Sequence, residues 1–206
     1  MKRIGIVGAG GFAREVLWLL EDLGLSPRVG AFFESDAVWR ERDLAGLPVL
    51  PLSRLEPGNW EAVIAIGSPQ TRSAIRSALP PETSFPTFIH PSVLRSRSVE
   101  IGAGTVICAG SILTCDIRID EHVQLNLATT VGHDTHLHPF VTTAPAVNIS
   151  GGCDIGQLCY IGTNACLREG LTIAAETVIG MGAVVVSHLR EPGVYMGSPA
   201  RKRANT

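Results

Sequence analysis

An aliphatic residue recurs at every sixth position from residue 101 to residue 185, and this period restricts the fold more than any other feature of the sequence. Fourteen of the fifteen positions are aliphatic, and the exception is Thr143. The positions are Ile101, Ile107, Leu113, Ile119, Leu125, Val131, Leu137, Thr143, Ile149, Ile155, Ile161, Leu167, Ile173, Ile179 and Val185. A period of six fits neither an α-helix nor the alternating strands of a β-sandwich, but it is typical of short strands joined by tight turns in a stacked solenoid.

Three hexads per coil would place residues 18 apart in neighbouring coils, about 4.8 Å from one another, and would give about five coils with a height of about 24 Å. Residues two before each aliphatic position are small or β-branched in most turns. Cys153 and Cys159 occupy such positions, so we expect them to be core residues rather than reactive thiols. We also expect the glycines after the aliphatic positions to supply the turn dihedrals. These are Gly102, Gly132, Gly156, Gly162 and Gly180.

The composition narrows the class of protein. The 206 residues, 45 % of them hydrophobic, suffice for one large or two small domains with real cores. A net charge of -2 predicts neither a nucleic-acid partner nor an anionic membrane partner. No apolar run reaches the length of a membrane span, and glycines, Arg14 and Glu15 interrupt the N-terminal run, so we expect a cytoplasmic protein without a signal peptide. Five cysteines without a C-x-x-C pair argue against a disulfide framework.

The first 88 residues predict a short Rossmann-like βαβαβ domain with a parallel sheet. Residues 2–7 should form a buried strand, and the glycine-rich residues 8–13 follow it and open a helix that ends at Gly24. Further strands are predicted at residues 28–33 and 61–66, with a second helix at 69–79. Prolines 80, 81 and 86 then mark the link to the repeat.

The glycine-rich turn, Gly8-x-Gly10-x-x-Ala13, matches the dinucleotide fingerprint in its alanine variant. A helix N-terminus behind such glycines can hold a diphosphate through backbone N–H groups. Glu34, Gly67 and Ser68 end neighbouring strands at the same carboxyl edge, where ligands of parallel sheets bind. Only half of a full dinucleotide fold fits before Pro86, which favours a sugar nucleotide over NAD. The glycines and the residue 67–68 turn could instead serve only close packing.

Residues 124–139 contain the strongest candidates for catalysis. The group comprises Asn126, His133, Asp134, His136 and His138. A histidine can act as a general base, and an adjacent acid can orient it. The 18-residue register places His133 over Cys115 and under Gly151. Because Gly151 has no side chain, we expect open space directly above His133. We therefore predict that His133 is the base.

The same register places His136 between Arg118 and Asp154, and His138 between Asp120 and Gly156. We expect these two histidines to be solvated or ion-paired at the surface. His133 and His138 also have the H-x4-H spacing of the zinc-dependent γ-class carbonic anhydrases, but the position of the third ligand is Arg97. A catalytic zinc site needs three protein ligands, so no metal is predicted.

A second register places Gly162 under Gly180 and Thr163 under Met181. Two neighbouring coils with bare backbone would form a groove wall that a flexible ligand such as a pantetheine arm could approach. The alternative is that these glycines only make turns.

Several motifs together resemble one family of hexapeptide acyltransferases. They are the glycine-rich turn, Ile89-His90-Pro91-Ser92, Asn126, Gly132-His133-Asp134 and the ending Gly197-Ser198-Pro199-Ala200. They are similar to those of the sialic acid O-acetyltransferase and UDP-4-amino-sugar N-acetyltransferase family. The resemblance implies an all-β left-handed parallel β-helix at residues 89–190, after the α/β domain of residues 1–88 and before a tail at 191–206. It also implies acetyl-CoA as co-substrate, a nucleotide sugar as acceptor, and a homotrimer with active sites between subunits.

The family's functional positions can be transferred residue by residue. His133 matches the base, and Asp134 matches the acid that supports it. The sugar-nucleotide positions match Gly10, Gly11, Phe12, Glu34, Ser35 and Asn126, and Gly67 and Ser68 are added because their strand should end at the same edge. The acetyl-CoA positions match Thr142, Thr163, Met181 and Arg201, with Lys202 and Arg203 also near the coenzyme phosphates. Gly151 and Gly180 are added because the 18-residue register places them against His133 and Gly162. This chain has Phe12 and Thr142 where the amino-sugar enzymes have histidines, and Glu34-Ser35 where they have paired acids.

The leading hypothesis is therefore direct acetyl transfer from acetyl-CoA to an amino or hydroxyl group of a nucleotide-linked sugar. The alternatives are O-acetylation of free sialic acid or another free sugar, an enzyme similar to serine acetyltransferases, and a non-catalytic nucleotide-binding scaffold.

Overall fold

The buried apolar runs of the N-terminal region form a five-stranded sheet with the order β3-β4-β2-β1-β5. The computed structural model describes residues 2–203, which divide into two units after Pro91. The elements of the first unit are β1 (Arg3–Val7), α1 (Gly11–Asp22), β2 (Val29–Glu34), β3 (Arg42–Leu44), β4 (Leu47–Pro51), β5 (Trp60–Ile64), α2 (Pro69–Ala78) and β6 (Phe88–Ile89), with 3₁₀ turns at Ser26–Arg28 and Leu52–Arg54. Neither α-helix of the described residues has the length and apolar character to cross a membrane.

The predicted strands and helices of this unit are present, and the sheet has two additional strands. β1 pairs in parallel with β2 and β5, β4 adds in parallel to β2, and β3 runs antiparallel to β4. The β3–β4 hairpin turns at Ala45 and Gly46, which both have positive φ angles. β3 is short and mostly exposed, so the alternation that predicts a strand was too brief to detect.

Gly8 determines how the chain leaves the sheet at the end of β1. Its N–H donates to the Phe33 carbonyl oxygen at 2.7 Å, and a Cβ atom on it would lie 2.8 Å from the Ala65 carbonyl oxygen. Its φ of 118° also favours glycine. The ends of β1, β2 and β5 therefore meet closely at the point where α1 begins.

The hexads of the second unit form a left-handed parallel β-helix, as predicted. Its strands are β7 (Leu94–Arg95), β8 (Glu100–Ile101), β9 (Val106–Ile107), β10 (Ile112–Leu113), β11 (Arg118–Ile119), β12 (Gln124–Leu125), β13 (Thr130–Val131), β14 (His136–Leu137), β15 (Thr142–Thr143), β16 (Asn148–Ile149), β17 (Asp154–Ile155), β18 (Tyr160–Ile161), β19 (Cys166–Leu167), β20 (Thr172–Ile173), β21 (Val178–Ile179), β22 (Val184–Val185), β23 (Val194–Met196) and β24 (Arg201–Lys202). Every third strand belongs to the same face up to β22. The pairing of Leu113 with Val131 shows the register of 18 residues.

The core of the β-helix explains the single polar hexad position. Fourteen of the fifteen positions are buried, and Ile101 at the first is half-buried. The buried hydroxyl of Thr143 lies 2.8 Å from that of Thr129, so the two polar groups satisfy each other. Cys153 and Cys159 are buried, as predicted, and burial raises the pKa of Cys159 to about 12.

The turns are not made by the glycines that we expected, but by another set of residues. At residues 104–182, every sixth residue has a positive φ angle, and only five of these fourteen residues are glycines. In eleven of the fourteen, the backbone N–H donates to the carbonyl oxygen 19 residues earlier, as Asp134 does to Cys115 at 3.2 Å. These hydrogen bonds with the preceding coil offset the cost of the left-handed conformation in non-glycine residues.

The glycines after the aliphatic positions instead permit close packing of the coils, so the expected role in turn dihedrals is wrong for them. They have no positive φ angle. A Cβ atom on Gly102, Gly156 or Gly162 would lie 2.5–2.6 Å from backbone atoms of the next coil. Such contacts leave no space for a side chain.

Candidate active site

His133 and Asp134 lie in the turn between β13 and β14, and hydrogen bonds to both neighbouring coils fix that turn. Asp134 has a φ of 57° and donates its N–H to Cys115 below. The His133 carbonyl oxygen accepts the N–H of Gly152 above at 2.7 Å. The positions of both side chains therefore follow from the regular geometry of the β-helix.

The two side chains form a dyad, His133–Asp134. Nδ1 of His133 lies 2.7 Å from Oδ2 of Asp134, and the side chains are 64 % and 67 % exposed. A carboxylate at Nδ1 favours the tautomer with its proton on that nitrogen, which leaves the lone pair on Nε2. The arrangement can therefore accept a proton at Nε2 from a bound reactant.

Gly151 supports the imidazole of His133 from the next coil. A Cβ atom on Gly151 would lie 2.7 Å from both Nε2 and Cε1 of His133. The predicted stacking is therefore confirmed, but the expected open space is not present because the ring itself occupies it.

The other two histidines form a separate group, which we name the His136–His138 cluster and which consists of Asp120, His136, His138 and Asp154. Nε2 of His136 lies 2.8 Å from Oδ2 of Asp120, and Nε2 of His138 lies 2.8 Å from Oδ1 of Asp154. Both histidines therefore have carboxylate partners at the surface, and which of the two predicted alternatives, solvated or ion-paired, applies to them stays open.

The glycine-rich turn borders a cavity of 480 Å³ in the first unit. The lining includes six of the predicted substrate positions and apolar side chains from β2, the second 3₁₀ turn and α2. It consists of Val7, Gly8, Ala9, Gly10, Gly11, Phe12, Phe33, Glu34, Ser35, Val38, Leu52, Ala65, Ile66, Gly67, Thr71 and Ile75. The carboxyl edge of the sheet thus has the concave, largely apolar character of a small-molecule site.

At Gly10 and Gly11, a ligand in this cavity can approach the backbone directly because no side chain covers it. A Cβ atom on either glycine would meet no atom within 4 Å. Gly10 is the N-cap of α1, and no side chain caps the helix there. The first N–H groups of α1 are therefore accessible to an anion.

Two other substrate candidates have additional roles in the structure. Glu34 forms an ion pair with Arg42 of β3 at 2.7 Å, which the sequence reasoning missed together with the hairpin. Ser68 does not line the cavity, and its hydroxyl caps α2 by accepting the N–H of Thr71 at 3.3 Å.

Arg72 is a residue that sequence reasoning missed. It is fully buried, and its guanidinium donates to the carbonyl oxygens of Ile66 at 2.7 Å and of Gly67 at 3.4 Å. Burial lowers the pKa of Arg72 to about 9. Arg72 thereby holds the loop that forms one wall of the cavity. An arginine in a polar helix gives no sequence signal for such a role.

Known proteins are similar to both the α/β unit and the β-helix of this chain. Residues 3–79 match the PglD N-terminal domain family. Perosamine N-acetyltransferase from Caulobacter crescentus, solved as a mutant with one histidine replaced by asparagine and in complex with CoA and GDP-perosamine, is 30 % identical with a TM-score of 0.92. That alignment covers 100 % of this chain and 98 % of the other. The chain belongs to the hexapeptide-repeat sugar acetyltransferase family.

Further members of this family are also similar. The acetyltransferase domain of PglB from Neisseria gonorrhoeae and WeeI from Acinetobacter baumannii are both 29 % identical with TM-scores of 0.88, and each alignment covers 98 % of this chain and 100 % of the other. UDP-3-O-acylglucosamine N-acyltransferase from Janthinobacterium is 35 % identical over 99 residues, or 48 % of this chain. The match spans only 28 % of the length of that curated relative.

The family positions on the β-helix differ in exposure. Thr142 is buried in β15. Asn126 follows β12, and its side-chain oxygen accepts the N–H of Leu127 at 2.7 Å in a local turn. Met181 is 80 % exposed, and the carbonyl oxygen of Thr163 accepts the N–H of Gly182 at 2.8 Å.

We expected Gly162 and Gly180 to offer free backbone groups to a ligand, but their N–H groups are already hydrogen-bonded to the next coil. The N–H of Gly162 donates to Ile179, and that of Gly180 donates to Tyr195. A Cβ atom on Gly162 would lie 2.6 Å from the Met181 nitrogen. These glycines therefore admit the next coil, and a contact of Gly180 with a coenzyme stays a prediction.

The C-terminal segment continues the structure through Arg203. β23 pairs in parallel with β21, and β24 returns antiparallel to β23. Arg201 is exposed on β24, whereas Lys202 forms an ion pair with Glu191 at 2.8 Å. Of the basic residues predicted near coenzyme phosphates, Lys202 therefore already has an acidic partner.

Proposed function

We propose that this protein transfers the acetyl group of acetyl-CoA to the amino group of a nucleotide-linked sugar. The observation that carries the proposal is the His133–Asp134 dyad, whose carboxylate engages Nδ1 and leaves Nε2 to accept a proton. The relatives support an amino acceptor because the names of perosamine N-acetyltransferase and of the acylglucosamine enzyme both specify N-acyl transfer. A hydroxyl acceptor is the alternative within the same chemistry.

The reaction needs one base and no covalent enzyme intermediate. The sugar nitrogen attacks the thioester carbonyl carbon, an N–C bond forms, and the C–S bond breaks. The proton leaves the nitrogen for Nε2 of His133 and then passes to the coenzyme sulfur, so the products are the N-acetyl sugar and free CoA. Asp134 stabilises the imidazolium that exists between the two proton transfers.

The cavity at the glycine-rich turn is our candidate site for the nucleotide. Gly10 and Gly11 allow a diphosphate to approach the first N–H groups of α1. The half-buried ring of Phe12 in the apolar lining can accept the flat face of a base. Glu34 and Ser35 lie at the same cavity, where they can bind hydroxyl groups.

Acetyl-CoA is assigned to the β-helix. CoA or acetyl-CoA is present in the structures of the Caulobacter and Neisseria proteins. In this chain, Met181 offers an exposed apolar contact and Arg201 an exposed charge for a phosphate. Thr142, Thr163, Gly151 and Gly180 complete the predicted coenzyme positions.

Mass spectrometry of products tests the proposal directly. The purified protein is incubated with acetyl-CoA and a panel of GDP-, UDP- and dTDP-linked 4-amino sugars, with free sialic acid as the competing acceptor. We expect at least one nucleotide-linked amino sugar to gain the mass of one acetyl group. Acetylation of sialic acid alone would overturn the choice of acceptor, and no product with any acceptor would overturn the enzyme assignment.

A thermal-shift assay with acetyl-CoA separates binding from turnover. A ligand at 100 times its Kd stabilises the folded state by about 2.7 kcal/mol. We expect acetyl-CoA to raise the melting temperature of both the wild type and His133→Ala, because the proposal assigns His133 to catalysis rather than to coenzyme binding. Absence of a shift in the wild type would contradict the coenzyme assignment.

We also propose that the active form is the homotrimer that the family resemblance implies, with active sites between subunits. Light scattering coupled to size exclusion measures the mass, and three times 21.9 kDa is the expected result. A monomer that is active at the same concentration would contradict this proposal.

A further inference from the structure

The His136–His138 cluster has a geometry that ion pairing alone does not explain. Its residues come from three neighbouring coils of one face, because Asp120 follows β11, His136 and His138 lie in and just after β14, and Asp154 begins β17. One ligand atom from each of Asp120, His136 and His138 lies within 4.8 Å of the other two. Oδ2 of Asp120 faces Nε2 of His136 and Nδ1 of His138. We propose that these three atoms form a binding site for a divalent transition metal ion, with zinc as the preferred ion.

The distances between the donor atoms fit a tetrahedral ion. Zinc bonds to nitrogen and oxygen of about 2.0–2.2 Å require neighbouring donors to be about 3.4 Å apart. The distances from Oδ2 of Asp120 are 2.8 Å to His136 and 3.9 Å to His138. They bracket the required value, so small side-chain rotations suffice. The imidazole rings are already close together, with centroids 3.8 Å apart.

The surrounding groups orient the ligands. Nε2 of His138 lies 2.8 Å from Oδ1 of Asp154, so Nδ1 is the nitrogen that faces Asp120. A carboxylate on the far nitrogen of a metal-binding histidine is the usual arrangement in zinc sites, where it fixes the ring and increases its basicity. Nε of Arg118 donates to Oδ1 of Asp120 at 2.9 Å, which leaves Oδ2 toward the histidines.

The cluster also has room for a further ligand. The side chains of Asp120, His136 and His138 are 17 %, 29 % and 36 % exposed. Asp120 borders a shallow cavity of 730 Å³, from which water can complete the coordination. Two imidazoles and one carboxylate favour zinc, nickel or copper over magnesium or calcium, which prefer oxygen ligands. The site is separate from the dyad and does not depend on the proposed acetyl transfer.

Cobalt is the first probe because tetrahedral Co²⁺ absorbs strongly in visible light. The full chain, purified without a histidine tag and treated with a chelator, is titrated with CoCl₂ and then with ZnCl₂. We expect one Co²⁺ per chain, intense visible bands and displacement by one equivalent of Zn²⁺. Absence of stoichiometric binding of both ions would overturn the proposal.

The variants test each part of the site. His136→Gln/His138→Gln should weaken Zn²⁺ binding by at least about 100-fold, and Asp154→Asn should weaken it by about 10- to 100-fold as a partner of a ligand. His90→Gln is the matched control, because His90 also contacts a carboxylate, at 2.9 Å from Asp22, but has no place in the cluster. Unchanged affinity in the double variant would overturn the assignment.

Two further controls test whether thiols bind the metal and whether a loss of binding is due to unfolding. Cys115 and Cys166 are exposed thiols that could bind zinc, so the titrations are repeated with Cys115→Ser/Cys166→Ser, which should retain full affinity. Melting in EDTA shows whether the histidine variants are folded. If the cysteine variant lost the binding and the histidine variants kept it, the metal would belong to the thiols and the proposal would be wrong.

Discussion

The two groups of histidines in the β-helix use the same residue types in opposite ways. His133 has a carboxylate at Nδ1, and the backbone of Gly151 in the coil above lies against Nε2. His138 has carboxylates on both sides, with Asp154 at Nε2 and Asp120 toward Nδ1. A general base needs one nitrogen free for the reactant, whereas a structural or metal-binding histidine uses both. The two proposed roles therefore differ in which ring nitrogens of His133 and His138 have carboxylate partners.

The largest effect should come from removal of the base. His133→Ala should lower kcat by about 10² to 10⁴, the usual contribution of general base catalysis. Steady-state kinetics with the acceptor identified by mass spectrometry measures it. Cys115→Ala is the matched control, because Cys115 occupies the same turn position one coil earlier and should retain activity. A kcat of His133→Ala within threefold of the wild type would remove the distinction between the two histidine groups.

A change at Gly151, in the coil above His133, should have the next largest effect. Gly151→Ala places a methyl group against the imidazole, and a displacement of about 1 Å can cost about 100-fold in rate. The fold should tolerate it, because the contact is with a side chain and not with backbone, so the melting temperature should change little.

A double-mutant cycle distinguishes this mechanism from a general disturbance. If Gly151 acts only through the ring, Gly151→Ala should cost nothing further in the His133→Ala background. An additive loss would mean that the methyl group blocks a ligand rather than displacing the base.

Loss of the carboxylate at Nδ1 should have a smaller effect. The dyad is about two-thirds exposed, and exposed pairs contribute up to about 1 kcal/mol, so Asp134→Asn should lower kcat about fivefold. Steady-state kinetics measures the change. Asp116→Asn, with the same left-handed conformation one coil earlier, is the control and should leave kcat unchanged.

The smallest effect should be on the reactivity of Cys115, which lies one coil below His133 next to the carboxylates of Asp116 and Asp134. Desolvation by neighbouring protein atoms, with added effects of the Asp116 and Asp134 carboxylates, raises the pKa of the exposed Cys115 thiol. A raised pKa means that less of the Cys115 thiol is ionised at pH 8 than in a free cysteine. Iodoacetamide should therefore label exposed Cys166 faster than exposed Cys115. The buried cysteines, Cys108, Cys153 and Cys159, should react most slowly. Peptide mass spectrometry reads the rates. Asp134→Asn should speed the labelling of Cys115, and no change would mean that the dyad carboxylate does not act on Cys115.

The β-helix was more predictable from sequence than the α/β unit, for a physical reason. Each hexad repeats the same burial requirement, so an error at Thr143 could not shift the register of the other positions. The α/β unit has no such redundancy, and the short β3 strand carries too few residues for a periodic signal. The strands and helices with long apolar runs were nevertheless found to within two residues at most ends.

The candidate site was predictable where register decides position. The 18-residue register placed His133 below Gly151, but it did not predict that the imidazole ring fills the space where a Gly151 side chain would lie. It also placed Asp154 above His136, although the side chain of Asp154 contacts His138 instead. Side-chain direction and the buried Arg72 depend on rotamers and on long-range packing, which the repeat does not encode.

The left-handed residue in each turn also bears on how such a protein can change. Because nearly every corner has the same backbone hydrogen bond to the coil before it, the dyad occupies one of many equivalent sites. Addition or loss of a whole coil would move a functional corner along the axis by about 4.8 Å and leave its local geometry intact. The β-helix is thus a scaffold on which the distance between two functions can be set in steps, without redesign of either one.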